Sequence, residues 1–221
     1  RGLACPIRIN SIILNYETME KKIFKDIKGY PKQMAYIKDY EPRTKFIVDL
    51  TCRIKDTGNT LALFQHTAHG KIMFTDIMKK LYPDVEVENK NITGKKSFEF
   101  QEKYGVYFVN GEVDTKTREL VRNILENHED AILVANYSVL STGVNIKKLH
   151  NMVLTSPLKS FTTITQSIGR GMRLHPSKSI FQVFDLVDSL PIFKRQYKHR
   201  KNLSYNPEEF PVYEREFDLI P

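Results

Sequence analysis

Apolar residues along the chain follow two alternating patterns. Short apolar runs with the composition of buried strands are followed by longer segments in which apolar residues recur every three or four positions, the spacing of an amphipathic helix. Strands that alternate with helices of this length indicate βαβ units. We therefore predict an α/β fold with a parallel sheet that is covered by helices on both faces. The predicted strands are residues 60–65, 106–112, 131–137, 150–156 and, as the last strand, 180–188.

The remaining segments are predicted from the same patterns and from glycine and proline breakers. Residues 7–16 are predicted to be a short strand or an extended linker, and residues 87–104 a surface insertion or hairpin. Right-handed crossovers place the carboxyl ends of the strands along one edge of the sheet, where ligands bind in such folds. The predicted helices are residues 17–28, 40–55, 69–82 and 114–127, and the segment between Pro157 and Pro176.

Composition limits the classes of protein to consider. The 221 residues are 41% hydrophobic and 27% charged, which is enough for one large or two small domains with a core. No apolar run approaches the roughly 18 residues of a membrane span. The net charge of +8 favours nucleic acid or another polyanion as a partner. The first residue is not Met and no signal-peptide pattern follows, so we expect a piece of a longer protein.

The two cysteines, Cys5 and Cys52, have no metal-ligand spacing. They suggest ordinary thiols in a reducing compartment, with a single disulfide as the alternative. We therefore expect a cytoplasmic location.

The stretch TITQSIGRGMRLHPSK holds the strongest candidate site. Gln166, Arg170 and Arg173 cluster on roughly the opposite side of the predicted helix from its apolar stripe. Gly169 and Gly171 each cost a helix about 1 kcal/mol relative to alanine, and they remove bulk where the arginines project, so another surface could come close. Arginine binds phosphate oxygens with a planar, permanently charged fork. A phosphate site is one interpretation, and a solvated basic face is the other. The stripe consists of Phe161, Ile164, Ile168 and Met172.

Polar residues follow several predicted strands. At Thr142, Gly143 and Asn145, backbone N–H groups can meet phosphate oxygens and the amide can bond a sugar hydroxyl, although an ordinary turn has the same composition. His66 and His69 have no third ligand at matching spacing, so we predict no metal site. The phosphate-binding sequence G-x-x-x-x-G-K-[ST] does not occur in the 221 residues. The chain thus offers groups for the far side of a phosphate without a primary nucleotide site.

These motifs, in this order, resemble the second motor domain of a superfamily 2 helicase. TLALFQHTAHGK resembles motif IV, ILVANYSVLSTGVNI resembles motif V, and QSIGRGMRLH matches motif VI, Q-x-x-G-R-x-x-R, in full. VYFVNGEVDTKTRE resembles a strand and turn that carry His-Gly in many members, with Asn110 in place of the His. The strings HGK, NGEVDTKTR and STGVNIKKLH are most similar to those of phage recombination helicases. The resemblance covers about residues 60–188.

The resemblance implies a RecA-like domain that closes on ATP held by a first domain, which carries the phosphate-binding loop and the acidic Mg²⁺ motif. Arg170 and Arg173 would contact the γ-phosphate and stabilise the transition state as arginine fingers. Gln166 would orient the nucleotide, and Gly169 would allow the close approach. The resemblance further implies nucleotide contacts at Gly143 and Asn145, and nucleic-acid contacts at Thr67, Lys71, Tyr137, Ser138, Thr142 and Lys147.

The resemblance also implies partners and an organisation of the chain. Residues 1–58 would lead into the RecA-like domain at 59–190, and residues 191–221 would form a basic helix and tail. The expected function is the second motor domain of an ATP-dependent DNA helicase or translocase, with ATP and Mg²⁺ as cofactors and no membrane. Its partners would be single-stranded or branched DNA, or RNA, and the N-terminal RecA-like domain of the same polypeptide. This chain alone is expected to be inactive.

Two alternatives stay open at this point. One is the motor of a restriction or repair translocase, which shares all these motifs, and the other is a non-catalytic nucleic-acid-binding module. The basic run at 194–201 could bind a phosphate backbone or be a solvated helix face. Lys147, Lys148 and His150 are better placed for nucleic acid because they follow motif V.

Overall fold

The computed structural model describes residues 4–93, 97–110, 115–138, 147–157 and 161–220. Within these ranges seven strands form one sheet in the order β3-β4-β2-β5-β6-β1-β7, and every neighbouring pair is parallel. This confirms the predicted α/β fold with a parallel sheet. The strands are β1 (Ile7–Asn15), β2 (Thr60–Phe64), β3 (Val106–Val109), β4 (Ile132–Asn136), β5 (Asn151–Leu154), β6 (Phe181–Asp188) and β7 (Val212–Asp218).

Helices connect the strands and cover the sheet. A short 3-10 turn at Lys55–Thr57 precedes β2, and a π-helical turn at Lys201–Tyr205 continues the last helix. None of the helices within the described ranges is long and apolar enough to cross a membrane. The helices are α1 (Thr18–Asp26), α2 (Tyr30–Asp39), α3 (Glu41–Ile54), α4 (Thr67–Leu81), α5 (Asn89–Ile92), α6 (Ser97–Tyr104), α7 (Thr115–Asn127), α8 (Phe161–Gly171) and α9 (Pro191–Arg200).

Alternate residues of each strand enter two hydrophobic clusters, one on each face of the sheet. In β2, Leu61 and Leu63 pack with residues of α7, α8 and α9, whereas Ala62 and Phe64 pack with residues of α1 to α4. Successive side chains of a strand point to opposite faces, so a strand buried on both faces needs a continuous apolar run. All five residues of TLALF are buried, and the four that follow Thr60 are apolar.

Three predictions about secondary structure were wrong. Residues 30–39, predicted as a break around Gly29 and Pro31, form helix α2, because Pro31 lies in the first turn, where its missing N–H costs nothing. The hairpin alternative for residues 87–104 is wrong, because the described part of this segment contains the helices α5 and α6, whereas the alternative of a surface insertion stays a prediction. Strand β6 is followed by another strand, β7, which pairs with β1.

Both ends of the chain contribute strands to the sheet. β1 lies in the segment 1–58 and pairs with β6 on one side and β7 on the other. The 7–16 segment is therefore a strand and not a linker. All three of the segments distinguished in the sequence, 1–58, 59–190 and 191–221, share one sheet, and how they divide into functional units stays a prediction.

Two buried ion pairs join the outer segments of the chain to β6. Arg43 of α3 donates from Nε and Nη2 to the carboxylate of Asp188, at 2.6 and 3.1 Å, and the Tyr16 hydroxyl donates to the same carboxylate at 2.7 Å. Arg200 of α9 donates to Asp185 at 2.8 and 3.0 Å. These four charged side chains are almost fully buried. Because buried charges are stable only when paired, the pairs hold α3 and α9 in place.

The basic run at 194–201 is therefore not a uniform basic face. Arg200 is 3% exposed and paired with Asp185, so this arginine belongs to the core and is not free to bind a phosphate. Lys201 is partly exposed and pairs with Glu214 of β7 at 2.7 Å. Lys194, Arg195 and Lys198 are exposed on α9.

The contribution of the buried Arg200–Asp185 pair to stability can be compared with that of the more exposed Lys201–Glu214 pair. Arg200→Met leaves Asp185 buried without its partner, and we expect it to lower the free energy of unfolding by about 3–5 kcal/mol. Lys201→Met removes an exposed pair and should lower it by no more than about 1 kcal/mol. Urea unfolding of both variants measures the difference, and equal losses would contradict the core role of Arg200.

Candidate nucleotide and nucleic-acid interface

Helix α8 carries Arg170, and Arg173 follows two residues after the helix ends. Ile164 and Ile168 are buried against the sheet, whereas Gln166 is exposed, as the apolar spacing predicts. Arg173 follows the helix and is exposed, while Arg170 is half-buried, with a buried Nη1 that has no hydrogen-bond partner. Burial and the neighbouring charge of Arg173 lower the pKa of Arg170. An anion bound next to Arg170 would therefore stabilise its charged form.

The two glycines of α8 have different roles. A Cβ at Gly169 would meet no atom within 4 Å, so the space beside the arginines is open. A Cβ at Gly171 would lie 2.2 Å from the ring of Phe181 in β6. The prediction that both glycines make room for another surface thus fits the surroundings of Gly169, whereas Gly171 makes room for the core of the same domain.

Lys178 fixes the end of α8, and no sequence pattern indicated it. Its side chain is 5% exposed, and its Nζ donates to the carbonyl oxygens of Gly171 at 2.6 Å and Lys147 at 2.9 Å. A cation beside the last carbonyls of a helix is favourable. Burial nevertheless lowers the pKa of Lys178 to about 8. This ammonium group thus connects the end of the arginine helix to the residue that precedes β5.

Other predicted residues lie at the ends of β2 and β3. Thr67 begins α4, and its hydroxyl donates to Oδ1 of Asn110, which follows β3, at 3.0 Å. Lys71 lies one turn further along α4 and is half-exposed. The hydrogen bond joins two neighbouring loops at the carboxyl edge of the sheet, the edge where ligands bind in folds of this type.

The residues after β4 extend this edge. The N–H of Ser138 donates to Oδ1 of Asn136 at 2.9 Å, and the Ser138 side chain is half-exposed. Tyr137 is 7% exposed, and its hydroxyl donates to the carbonyl of Ser156 at 3.3 Å. The side chain of Tyr137 therefore belongs to the core, and the predicted nucleic-acid contact at this residue could come from its backbone alone.

The structure separates the predicted site residues into two groups. Thr67, Lys71 and Ser138 follow or lie near the carboxyl ends of strands. The end of α8 lies at the opposite edge, since the Cys5 N–H before β1 donates to the carbonyl of Met172 at 2.6 Å. Lys147, which precedes β5, lies with the arginines through its bond to Lys178. Thr142, Gly143 and Asn145 are outside the described residues.

Two further candidates, Lys148 and His150, have side chains that are used by the fold itself. Lys148 is buried, and its Nζ donates to Glu126 and Glu129, whereas the buried His150 contacts Ser177. Of the three basic residues after motif V, only Lys147 is exposed. These contacts leave neither buried side chain available for nucleic acid.

His69 packs inside the domain. Burial, together with the charge of Arg43, lowers its pKa to about 3, and its Nε2 shares a hydrogen bond with the Thr44 hydroxyl at 3.3 Å. His66 is exposed. Across the part of the chain that the structure describes, no group of three or more His, Cys, Asp or Glu side chains could hold a metal ion, and Cys5 and Cys52 are both buried free thiols.

Comparison with known proteins identifies relatives of the chain. The family described as "Helicase conserved C-terminal domain" matches residues 49–175. The chain is 34% identical over 205 residues to the ATP-dependent DNA helicase uvsW of Enterobacteria phage T4, which covers 90% of the chain and 36% of that relative. The crystal structure of T4 UvsW is similar to 99% of the chain, with a TM-score of 0.75 and 30% identity, over 43% of the UvsW chain.

A second relative has a different biological context. The chain is 28% identical over 111 residues to the type I restriction enzyme EcoKI endonuclease subunit of Escherichia coli (strain K12), which covers 48% of the chain and 10% of that subunit. The chain thus spans about a third of the first relative and a tenth of the second. Both likenesses agree with the resemblance seen in motifs IV to VI.

The different surroundings of the two glycines lead to opposite effects on stability. Gly169→Ala adds a methyl group in open space and removes a helix-weakening residue, so it should stabilise the domain by up to about 1 kcal/mol. Gly171→Ala forces the Phe181 ring to shift and should destabilise it by roughly 1–3 kcal/mol. Urea unfolding of the two variants measures both changes in the free energy of unfolding. Changes of the same sign would contradict the different surroundings of the two glycines.

The buried ammonium group of Lys178 makes stability depend on pH. Its folded pKa of about 8 lies below the 10.5 of an exposed lysine. Below pH 8 the Lys178 amine is protonated in both the folded and the unfolded state. Between pH 8 and pH 10.5 it is protonated in the unfolded state alone. Stability should therefore rise with pH in that window, by up to about 1.4 kcal/mol per pH unit.

Lys178→Met should lack this contribution. The free energies of unfolding of wild type and Lys178→Met are measured at about pH 7.5 and 9.5. Their difference isolates the contribution of Lys178, because the other titrating groups contribute nearly equally to both proteins. Lys147→Met is the control, since its exposed side chain makes no such contact and its carbonyl remains. A pH dependence that is the same in wild type and Lys178→Met would contradict the role of Lys178.

Proposed function

Because the chain belongs to the family of helicase conserved C-terminal domains, we propose that it is the second, RecA-like motor domain of an ATP-dependent DNA helicase or translocase. ATP and Mg²⁺ would be held mainly by an N-terminal RecA-like domain of the same polypeptide. The sequence supports this division, since the 221 residues contain no phosphate-binding loop. Residues 59–190 would form the motor core, with 1–58 leading into it and 191–221 as its tail.

The unpaired state of the two arginines carries the proposal. Among the described residues neither Arg170 nor Arg173 has a carboxylate partner, and burial together with the charge of Arg173 lowers the pKa of Arg170. By contrast, Arg43 and Arg200 are each paired with an aspartate. Arg170 thus differs from these buried arginines, because its buried Nη1 has no partner in the described part of the domain and an anion from outside the domain would supply one.

The arrangement suits stabilisation of a transferred phosphoryl group. The buried Ile164 and Ile168 of α8 and the Lys178 ammonium group at its end would hold Arg170 in a fixed position relative to the sheet. Charge that is preorganised in this way stabilises negative charge as it develops on the phosphate, without reorganisation during the reaction. Open space at Gly169 lets the nucleotide-bearing surface approach. Gln166, exposed one turn earlier, would orient the nucleotide, with Gly143 and Asn145 assigned to the same site.

The carboxyl edge would supply the nucleic-acid track. Thr67, Lys71 and Ser138 lie there and are partly exposed. Their separation from the arginines suits a motor in which nucleotide and nucleic acid bind different sides of a domain, so that closure around ATP moves the track. The motif resemblance implies three more contacts with nucleic acid. They would be made by Thr142, by the backbone at Tyr137, and by Lys147 at the other edge of the sheet.

A second candidate function is the motor of a restriction translocase. The similarity to the EcoKI endonuclease subunit favours it. The same residues would serve both functions, and the discriminating observation is whether nuclease or methyltransferase domains belong to the same assembly.

The arginines should act on turnover and not on nucleic-acid affinity. In a polypeptide that carries both motor domains, Arg170→Ala and Arg173→Ala are expected to lower kcat for nucleic-acid-stimulated ATP hydrolysis by about 10³–10⁵-fold, the range for arginine fingers. Affinity for nucleic acid without nucleotide should change little, because the charge acts when the γ-phosphate departs. Arg→Lys should rescue turnover poorly, since a point charge does not reproduce the fork.

Two controls accompany this measurement. Arg53→Ala removes an exposed arginine from α3 and should leave turnover unchanged. The chain without an ATP-binding domain should hydrolyse ATP no faster than buffer. Near-normal turnover by Arg170→Ala and Arg173→Ala, or thermal melting that shows unfolded variants, would refute the arginine-finger assignment.

A further inference from the structure

A cavity of about 470 Å³ opens beside helix α9. Its described lining is one face of the helix, at the i, i+3, i+4, i+7 spacing that brings side chains together. Arg195 and His199 are exposed at the cavity, Ile192 is half-buried, and Gln196 is 8% exposed. The volume lies within the range of about 300–1,000 Å³ that is usual for ligand pockets.

The amide of Gln196 has no partner. Both Nε2 and Oε1 are buried, and neither forms a hydrogen bond. Burying a donor and an acceptor without partners is unfavourable, and native proteins rarely leave both atoms of one amide unpaired. The amide therefore has an unused donor and an unused acceptor behind the wall of the cavity, and a turn of the Gln196 side chain would bring them to a ligand there.

Gln101 shows what a structural glutamine looks like in this fold. It is 4% exposed, and its Nε2 donates to the carbonyls of Asn91 and Ile92 at 2.9 and 3.0 Å. Its Oε1 accepts the N–H of Phe108 at 3.0 Å. Gln101 is thus as buried as Gln196 but fully paired, which makes it a matched comparison.

The unpaired atoms indicate the chemistry of the ligand. An anion would satisfy the Nε2 donor but not the Oε1 acceptor, and a cation would do the reverse. A nucleobase edge offers a donor and an acceptor side by side, and glutamine pairs with adenine in this way. Arg195 at the opening is suited to the phosphate of the same nucleotide, and Ile192 to the face of the base.

The cavity also lies close to the proposed nucleic-acid track. Helix α9 begins three residues after β6 ends, so its first turns start at the carboxyl edge of the sheet. Thr67 and Ser138 follow β2 and β4 at that edge, and at about 4.8 Å per strand β6 is roughly 14 Å from β4. One bound strand of nucleic acid could therefore reach both places.

Resting on the proposed function, we propose that this cavity binds an unpaired base of single-stranded nucleic acid, with Gln196 bonded to the base edge and Arg195 to the adjoining phosphate. The chain would then hold a splayed-out base on its tail helix, in addition to the contacts made by the motor core.

The test compares a single-stranded oligoadenylate with an abasic strand of the same length. Gln196→Leu in the intact protein should lower affinity for the oligoadenylate roughly tenfold, within the range for a lost bidentate base contact, and leave affinity for the abasic strand unchanged. Arg195→Ala should weaken binding of both strands, because both carry the phosphates. Lys194→Ala is the matched control, since it is exposed on the same helix but does not line the cavity. DNA and RNA versions of each strand identify which nucleic acid is preferred, and a base-dependent loss with either supports the proposal.

Thermal melting separates a ligand site from a structural one. Gln196→Leu removes no hydrogen bond of the fold, so its Tm should equal or exceed that of wild type, whereas Gln101→Leu should lower the Tm. A Tm lowered equally by both changes would overturn the inference, as would equal losses of affinity for the two strands in Gln196→Leu. A wild-type protein that binds neither strand would overturn the proposed function itself. Wild-type binding that Gln196→Leu and Arg195→Ala both retain would overturn this inference alone.

Discussion

Strand β6 is the element on which the rest of the structure depends, because it carries two carboxylates into the interior. Asp185 and Asp188 are almost fully buried, and a buried carboxylate without a partner destabilises a fold by several kcal/mol. Arg43 from the early part of the chain neutralises one, and Arg200 from the late part neutralises the other. Pairing therefore dictates where α3 and α9 pack, and the two ion pairs fasten to β6 segments that the family match at 49–175 leaves largely outside.

The parts of the fold that could be predicted are those in which local sequence and tertiary environment agree. Four of the five residues of strand β2 are apolar because both its faces are covered, and this shows in its sequence. Strand β7, VYEREFD, could not be predicted, since it lies at the sheet edge with mostly exposed side chains and pairs through its backbone. Charged residues at an edge also discourage pairing with other molecules. Helix α2 was missed because Gly29 and Pro31 are breakers in most contexts, but a proline is well tolerated in a first turn.

The candidate site likewise has parts that the sequence predicts and parts that only the tertiary structure shows. The helical spacing of Ile164 and Ile168 is local information, and it placed the arginines of α8 on the outer face. The involvement of Lys178 and Gln196 depends on burial by distant segments, and no pattern along the chain carries that information. Tyr137 illustrates the converse, because a residue inside a recognised motif is turned into the core by the packing around it. Motif reading thus finds the chemistry of a site, whereas the contacts that orient it come from the tertiary structure.

The position of β1 has a consequence for how the protein is made. Ile7 is paired with Phe181, so a strand near the beginning of the chain can join the sheet only after about 170 further residues have been synthesised. At roughly 5–20 residues per second, β1 waits on the order of 10–35 s on the ribosome with its partner absent. IRINSIILN is a β-prone segment with one charge, which is the kind of sequence that associates with other nascent chains when it is exposed. Long-range parallel pairing also slows folding. β1 can therefore join the sheet only when β6 has been synthesised, and until then its apolar face is open to contacts with other chains.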